Sequence, residues 1–341
     1  MNFNKLLTVK ATMMNLTKNP IGNGWPLMTA LALAAFAIPA TAQQNYPNKP
    51  IRFIVPYAAG GGVSVVARMV GQKMTEAWGQ PVIIDNRPSA NGIVGTEAAA
   101  KSSPDGYTFL VVTGTHVIVP HLLSTSYDAV KDFAPVATIA SSEFLLVVHP
   151  SVPVTTLQEL IALAKARPGQ LNYASSGSGS SGQLATELFN MVVGIKMQHI
   201  PYKGIGALLA DLVGGQIQLV LSPPLSVMPQ VKADKLRPIA VSGETRLAAL
   251  PRVPTFTEAG VPGFSVRYWN GMLAPAGMPK AIIDRVSAEV AVILRKPEVT
   301  EMLSGQGMDA FVSTPDQFAA LMKSDAAKFA TVIKTANIKA D

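Results

Sequence analysis

The chain has 341 residues, with 28 basic and 21 acidic side chains, a formal charge of +7 and no cysteine. The lack of cysteine excludes disulfides, thiolate metal sites and cysteine nucleophiles. The basic residues are scattered and do not alternate with aromatic residues, which argues against a nucleic-acid-binding protein.

The first 42 residues have the pattern of a secretory signal peptide. Three lysines and no acid precede the apolar segment WPLMTALALAAFAI, which leads into Pro39 and the cleavage pattern Ala40-Thr41-Ala42. The apolar segment is about 14 residues long, too short for the roughly 20 residues that span a bilayer. Cleavage would leave 299 of the 341 residues with a charge of +4, and we expect this mature chain to be exported.

Apolar runs of strand length alternate with helical patterns, which predicts an α/β architecture with largely parallel sheets. The predicted strands are residues 51–55, 81–85, 108–113, 144–149, 171–174, 198–200, 217–222, 236–241 and 265–273. The predicted helices are residues 64–78, 156–165, 183–193, 205–213, 281–294 and 315–335, and Thr155 or Thr156 can cap the second of them.

The pattern also predicts an inserted second domain in the middle of the chain. An apolar run ends at His149-Pro150, and the Pro/Gly-rich stretch LPRVPTFTEAGVPGF precedes a return strand. We therefore expect residues 45–145 and 265–341 to form lobe 1 and residues 146–264 to form lobe 2. Two crossovers would join the lobes and act as a hinge.

A glycine turn follows the first predicted strand, in the stretch AAGGGVS that ends at Ser64. It lacks the Gly-Lys-Ser/Thr of a P-loop, and Val65 stands where a dinucleotide fingerprint needs its third glycine. A turn that feeds a helix N-terminus, with Ser64 as the cap, suits a small anion such as a carboxylate. The alternative is an ordinary tight turn between a strand and a helix.

Two further turns of small residues follow predicted strands. One is SSGSGSSG at residues 175–182, and the other consists of Thr113, Gly114 and Thr115. Because ligands of open α/β sheets bind beyond the carboxyl ends of the strands, these turns predict one site with facing amides and hydroxyls. Trp269 on the return strand either lines this cleft or packs in the core.

The sequence offers no catalytic constellation. The four histidines lack metal-ligand spacing, and no nucleophile, base and oxyanion site come together. We therefore expect a protein that is not an enzyme and that holds no metal or cofactor. One enzyme alternative remains open, a dinucleotide-dependent oxidoreductase, because Asp85 ends a strand about twenty residues after the glycine turn.

With these motifs in view, the chain closely resembles the Bug (Bordetella uptake gene) family of solute-binding proteins of tripartite tricarboxylate transporters. The resemblance runs from YPNKPIRFIVPYAAGGG to the C-terminus and includes NRPSANGIVGTEAAAKSSPDGYT, LNYASSGSGSSGQLATELF and HIPYKGIGALLADLVGGQI. It implies a periplasmic binding protein type II fold, with two lobes joined by a two-crossover hinge. It also implies a periplasmic, monomeric, cofactor-free protein that delivers a small organic carboxylate to membrane permease subunits.

Carried over by position, the resemblance implies a set of ligand contacts from three turns: Tyr57, Gly60, Gly61, Gly62, Val63, Ser64, Thr113, Thr115, Ser175, Gly177, Ser178 and Ser180. The family commonly has Thr-Asp in place of Val63-Ser64, and Asn in place of Ile93 and of Ser178. Because Val63 and Ile93 replace polar groups, we expect a ligand with one carboxylate and a fairly apolar body, such as an aromatic one, rather than an amino acid. The other open alternative is a periplasmic sensor subunit that informs a signalling partner.

Overall fold

The computed structural model describes residues 46–202 and 204–339, so the predicted signal segment lies outside the described residues. From Pro47 onward the chain forms one compact unit around two β-sheets. Within the described residues, no helix combines the length and the apolar character that a bilayer crossing requires.

The first sheet takes its strands from both ends of the chain. They are β1 (Ile51–Val55), β2 (Val82–Asn86), β3 (Thr108–Thr113), β4 (Phe133–Glu143), β10 (Arg267–Pro275) and β11 (Asp309–Ala310). Their order in the sheet is β11-β4-β10-β3-β1-β2. β1 runs parallel to β2 and β3, whereas β10 is antiparallel to both β3 and β4.

The second sheet comes from the middle of the chain. Its strands are β5 (Leu145–Val148), β6 (Asn172–Ser175), β7 (Gln198–Pro201), β8 (Leu219–Ser222) and β9 (Arg237–Val241), in the order β7-β6-β8-β5-β9. β6 is parallel to β7 and β8, and β5 is antiparallel to β8 and β9.

Helices connect and cover the strands. They are α1 (Gly62–Trp78), α2 (Ile93–Ala100), α3 (Thr115–Ile118), α4 (Leu157–Ala166), α5 (Ser181–Val193), α6 (Ile205–Val213), α7 (Pro224–Lys232), α8 (Lys280–Leu294), α9 (Pro297–Gly305) and α10 (Pro315–Thr335). The predicted start of α4 is confirmed, because Thr156 forms a capping box with Glu159.

The α/β class is confirmed, but the expectation of largely parallel sheets is corrected to mixed sheets. Of the strand pairs in the described residues, four are parallel and five are antiparallel. The antiparallel pairs arise because β10 brings the chain back to the first sheet between β3 and β4, and because β5 enters the second sheet against β8 and β9.

Sequence patterns miss β4, the longest strand of the first sheet. Its sequence, FAPVATIASSE, is rich in small residues and contains Pro135, which argues against a strand. The structure tolerates the proline because Pro135 pairs with Leu273 of β10, while the opposite neighbour, β11, pairs only with Ser141 and Ala140. At Pro135, β4 is therefore an edge strand, where a missing N–H is acceptable.

The C-terminal helix α10 contributes to two apolar cores, one at each sheet. Phe318 and Met322, in its first half, belong to the core of the first sheet, together with Trp269. Phe329 and Val332, in its second half, belong to the core that covers the second sheet. One helix therefore completes both cores.

Ser242 joins the two places where the chain passes between the sheets. Its amide donates to the carbonyl of Phe144 (2.9 Å), and its hydroxyl accepts a hydrogen bond from the Phe144 amide (2.8 Å). The same hydroxyl donates to the carbonyl of Val266 (2.6 Å). Glu143 adds an ion pair with Arg267 across the same junction (3.2 Å).

His116 is a buried packing residue of the first sheet's core. Its Nε2 donates to the carbonyl of Ala129 (2.8 Å), and its ring lies against Tyr127 and Phe133. Burial lowers the pKa of His116 to about 4. The folded protein therefore keeps this imidazole neutral at pH values where the unfolded chain protonates it.

We expect the free energy of unfolding to fall on acidification because of His116. Because the folded pKa lies below the unfolded value of about 6.5, the unfolded state binds more protons between these values. The free energy of unfolding should drop by up to about 3 kcal/mol between about pH 6.5 and pH 4.

Urea denaturation at several pH values measures this loss. His116→Gln, whose amide can still donate to Ala129, should flatten the pH dependence, whereas His121→Gln at an exposed position should not. Identical pH profiles for the wild type and His116→Gln would contradict the assignment.

Candidate functional site

Each sheet contains the same parallel three-strand arrangement, and each has one topological switch point. In the first sheet, β1 lies between β2 and β3, and in the second sheet β6 lies between β7 and β8. The chain leaves β1 towards β2 and leaves β3 towards β4, in opposite directions across the first sheet. It leaves β6 towards β7 and β8 towards β9 in the same way. A crevice therefore opens between β1 and β3, and another between β6 and β8. Ligands of open α/β sheets bind in such crevices.

The crevice of the first sheet is bridged by a hydrogen bond between two predicted site residues. The Tyr57 hydroxyl lies 3.1 Å from Thr113 Oγ1, and the amide of Thr113 donates to the same hydroxyl (3.4 Å). Burial raises the pKa of Tyr57, although the bonds from Thr113 oppose the rise. The phenol is therefore neutral at ordinary pH and keeps its proton as a donor.

Asn86, a residue without any sequence signal, supports the glycine turn. Its side-chain amide donates to the carbonyl of Tyr57 (3.0 Å), and its Oδ1 accepts from Ser64 (3.2 Å). The expectation that Ser64 caps helix α1 is wrong. Gly61 occupies the N-cap position, and Ser64 is fully buried in the first helical turn, with its hydroxyl on Asn86. A direct contact between Ser64 and a ligand stays a prediction.

The N-terminus of α1 has no side-chain cap and no acidic residue in its first turn. The first N–H groups of a helix have no acceptor within the helix. Gly60 and Gly61 in front of this terminus are exposed, and Gly60 adopts a φ of +84°, which favours glycine. The amides of this turn, with the helix dipole behind them, favour an anion.

The second turn is held by a hydrogen-bond network around His199. The Ser175 hydroxyl lies 2.7 Å from His199 Nε2, and the other ring nitrogen lies 3.0 Å from the side-chain amide of Gln183. The oxygen of the same amide accepts from the Gly179 amide (2.7 Å). Ser175 is therefore engaged inside the turn, and Ser180 caps α5 by accepting from Gln183 (3.4 Å).

A cavity of about 170 Å³ lies between the second turn and the first sheet. Hydroxyl-bearing residues of the second sheet line it, and Tyr268 of β10 closes it from the first sheet. The polar lining residues are Ser175, Ser176, Ser181, Ser222, Ser226 and Tyr268. Burial raises the pKa of Tyr268 well above its usual value, and the nearby Tyr57 phenol raises it further.

Trp269 lies in the apolar core, which decides between its two predicted roles. It is 1% exposed, packs edge-on against Phe318 and donates its indole N–H to Asp325 (2.8 Å). Side chains alternate along a strand, so Tyr268 points to the opposite face of the sheet from Trp269. Tyr268 therefore borders the cavity in the place predicted for Trp269.

The remaining predicted contacts fall around the two crevices. Val63 is buried in the first turn of α1, and Thr115 is half-buried at the start of α3. Ile93 begins α2 and packs against the core of the first sheet. Gly62, Gly177 and Ser178 are half-buried at the turns. Gly179 of the second turn lies beside the side chain of Leu122, which follows α3.

Other features do not form a site with these turns. A larger cavity, about 590 Å³, lies between β9 and residues 249–254, and no residue of the three turns lines it. Asp85, which motivated the dinucleotide alternative, forms ion pairs with Arg87 (2.9 Å) and Arg52 (3.9 Å). Across residues 46–202 and 204–339, no three His, Asp or Glu side chains group as metal ligands would.

Comparisons with known proteins agree with this geometry. A family described as "Tripartite tricarboxylate transporter family receptor", TctC, matches residues 66–338. Protein BugT of Bordetella pertussis is 33% identical over 312 residues, which cover 91% of this chain and 95% of BugT.

Two solved structures share the fold at substantial identity. R. palustris Rpa4515 with adipate is 34% identical with a TM-score of 0.78, covering 87% of this chain and 100% of that one. The periplasmic binding protein BugD is 28% identical with a TM-score of 0.74, covering 87% of this chain and 100% of that one.

Membership of a receptor family explains why the crevices carry neutral hydroxyls and amides without catalytic groups, so the dinucleotide-dependent enzyme is excluded. The chain belongs to the TctC family of tripartite tricarboxylate transporter receptors, and its relatives include Bug proteins.

Proposed function

We propose that this receptor captures a small organic carboxylate between the glycine turn of the first sheet and the serine-rich turn of the second. The observation that carries the proposal is the uncapped N-terminus of α1 beside the Tyr57–Thr113 pair. A carboxylate there would accept hydrogen bonds from the backbone amides and from the Tyr57 phenol. The relative of known structure with adipate supports this ligand class.

The proposed ligand has a modest charge and an apolar body. No Lys, Arg, Asp or Glu lines the cavity beside Tyr268 within the described part of the chain. Ile93, half-buried at the start of α2, adds apolar surface near the glycine turn. A single carboxylate on an apolar or aromatic body matches this combination, whereas an amino acid would place an ammonium group without an acidic partner.

The proposed mechanism is closure of two lobes, residues 45–145 with 265–341 and residues 146–264, about the junction at Ser242. A ligand shifts this equilibrium only through contacts that are better in the closed state. The closed monomer would deliver its ligand to the permease subunits, after export through cleavage of residues 1–42.

Thermal stabilisation of the purified mature protein tests the ligand class. At about 100 times the Kd, a ligand adds about 2.7 kcal/mol, which should raise the Tm by about 5 °C. We expect such shifts with benzoate or hexanoate, which carry one carboxylate on an apolar body, and none with glutamate or with matched sodium chloride. Stabilisation by glutamate alone would contradict the proposed ligand, and the lack of any carboxylate effect would contradict the function.

Tyr57→Phe tests the contribution of the phenol. The variant removes one donor to a charged acceptor, and we expect the Kd for the stabilising acid to rise about tenfold. Tyr107→Phe is the matched control, because the Tyr107 hydroxyl bonds to exposed Asn48 (2.7 Å) away from the turns. Isothermal titration calorimetry should show an unchanged Kd for this control, and an unchanged Kd for Tyr57→Phe would argue against its role.

Deletion of the gene separates transport from sensing. A transport receptor predicts loss of uptake of the identified acid, measured with radiolabelled acid, and restoration by the wild-type gene. Retained uptake combined with loss of acid-dependent gene expression would instead support the sensor alternative.

A further inference from the structure

Two buried polar side chains beside Tyr268 lack hydrogen-bond partners. Ser142 Oγ and Asn270 Oδ1 are inaccessible and unpaired, and the two residues are 2% and 0% exposed. Leaving such a group without a partner costs about 1–3 kcal/mol. Both residues lie on strands next to the proposed binding site, which suggests that an external group completes their hydrogen bonding.

Strand register places these side chains on one face of the first sheet. Tyr268 is paired with Ser142 of β4, and Asn270 is paired with Thr113 of β3. Residues paired across antiparallel strands share a face, as do residues two apart on one strand. Thr113, Asn270, Tyr268 and Ser142 therefore form a continuous polar patch, whereas Trp269 points to the other face.

The patch connects the two halves of the proposed site. At one end, Thr113 contacts the Tyr57 hydroxyl (3.1 Å) of the glycine turn. At the other end, Tyr268 closes the cavity lined by Ser175, Ser181 and other serines of the second sheet. Asn270 lies between them, and its side-chain amide reaches the Tyr268 hydroxyl (3.5 Å).

The unmet hydrogen bonds have a definite chemical complement. Asn270 Oδ1 can only accept, so it requires a donor, while the hydroxyls of Ser142 and Tyr268 can each donate. An alcohol or phenol satisfies both demands, because it donates once and accepts as well. An ionised carboxylate has no proton to donate, so its oxygens would be repelled by Asn270 Oδ1. An ammonium group would have no carboxylate to pair with among the residues that line the cavity.

We propose that Asn270, Ser142 and Tyr268 form a specificity subsite that binds a hydroxyl group on the ligand's apolar body, so that the receptor selects a hydroxylated organic acid. The inference rests on the proposed function, since it describes the second end of the same carboxylate ligand. Asn270 supplies the acceptor that distinguishes a hydroxylated acid from its plain counterpart.

Calorimetric titration with matched acids tests the subsite. The probes are benzoate with 3- and 4-hydroxybenzoate, and hexanoate with 6-hydroxyhexanoate, each titrated into the purified mature protein. We expect the wild type to bind one hydroxylated acid about tenfold or more tighter than its plain counterpart, as one buried hydrogen bond allows. Asn270→Leu should reduce that preference to about twofold or less, and Ser142→Ala should weaken it by about threefold.

A matched control separates selectivity from general damage. Asn190 on α5 also has a buried, unpaired Oδ1, but it bonds to Glu187 and lines neither crevice. Asn190→Leu should keep the hydroxyl preference, with circular dichroism confirming the fold of each variant. If Asn270→Leu does not fold, Ser142→Ala alone decides.

The outcomes distinguish the two proposals. A preference that Asn270→Leu removes or Ser142→Ala weakens, and that Asn190→Leu retains, supports the subsite. Binding of carboxylates with no hydroxyl preference, or with a preference that both subsite variants retain, overturns the subsite and leaves the proposed function intact. Failure of every carboxylate in the wild type overturns the proposed function and the subsite that rests on it.

Discussion

The structure depends on the junction where the chain crosses twice between the sheets. Ser242 binds the backbone of Phe144 on one crossing and of Val266 on the other, and it is fully buried. Hydrogen bonds shielded from water are costly to break, so the two crossings are held at a fixed spacing. Glu143 and Arg267 extend the same junction at the surface. The proposed closure of the two lobes would therefore turn about this point rather than separate the sheets.

The two sheets that meet at this junction share one arrangement of three parallel strands, and each has a topological switch point. Together they offer backbone amides, serine and threonine hydroxyls, and the neutral phenols of Tyr57 and Tyr268. Neutral donors bind a carboxylate with less desolvation cost than a buried lysine or arginine would incur before the ligand arrives. The selectivity of such a site comes from the positions of its hydrogen bonds and from the apolar surface beside them.

The sequence allows the strands, the turns and the family to be predicted, because these are written in local patterns. Glycine and serine runs after β1 and β6 mark the two turns, and the start of α4 is marked by Thr156. The sequence does not reveal Asn86 or His199, since their roles depend on contacts between distant segments. Strand alternation explains the exchange of Trp269 for Tyr268: residue type indicates an aromatic at the site, but only the register of β10 shows which of two neighbours points there. β4 is missed for a related reason, because Pro135 is acceptable only where a strand has one free edge. The mixed sheets are missed because strand direction depends on where β10 and β5 enter their sheets.

Helix α10 has a consequence for how the protein unfolds. Its first half fills the core of one sheet and its second half fills the core of the other. Loss of either core removes the support for the helix that the other core requires, so the two halves of the molecule are energetically coupled. The receptor should therefore melt as a single cooperative unit, and neither half should persist as an independently stable fragment after proteolytic removal of its C-terminal segment.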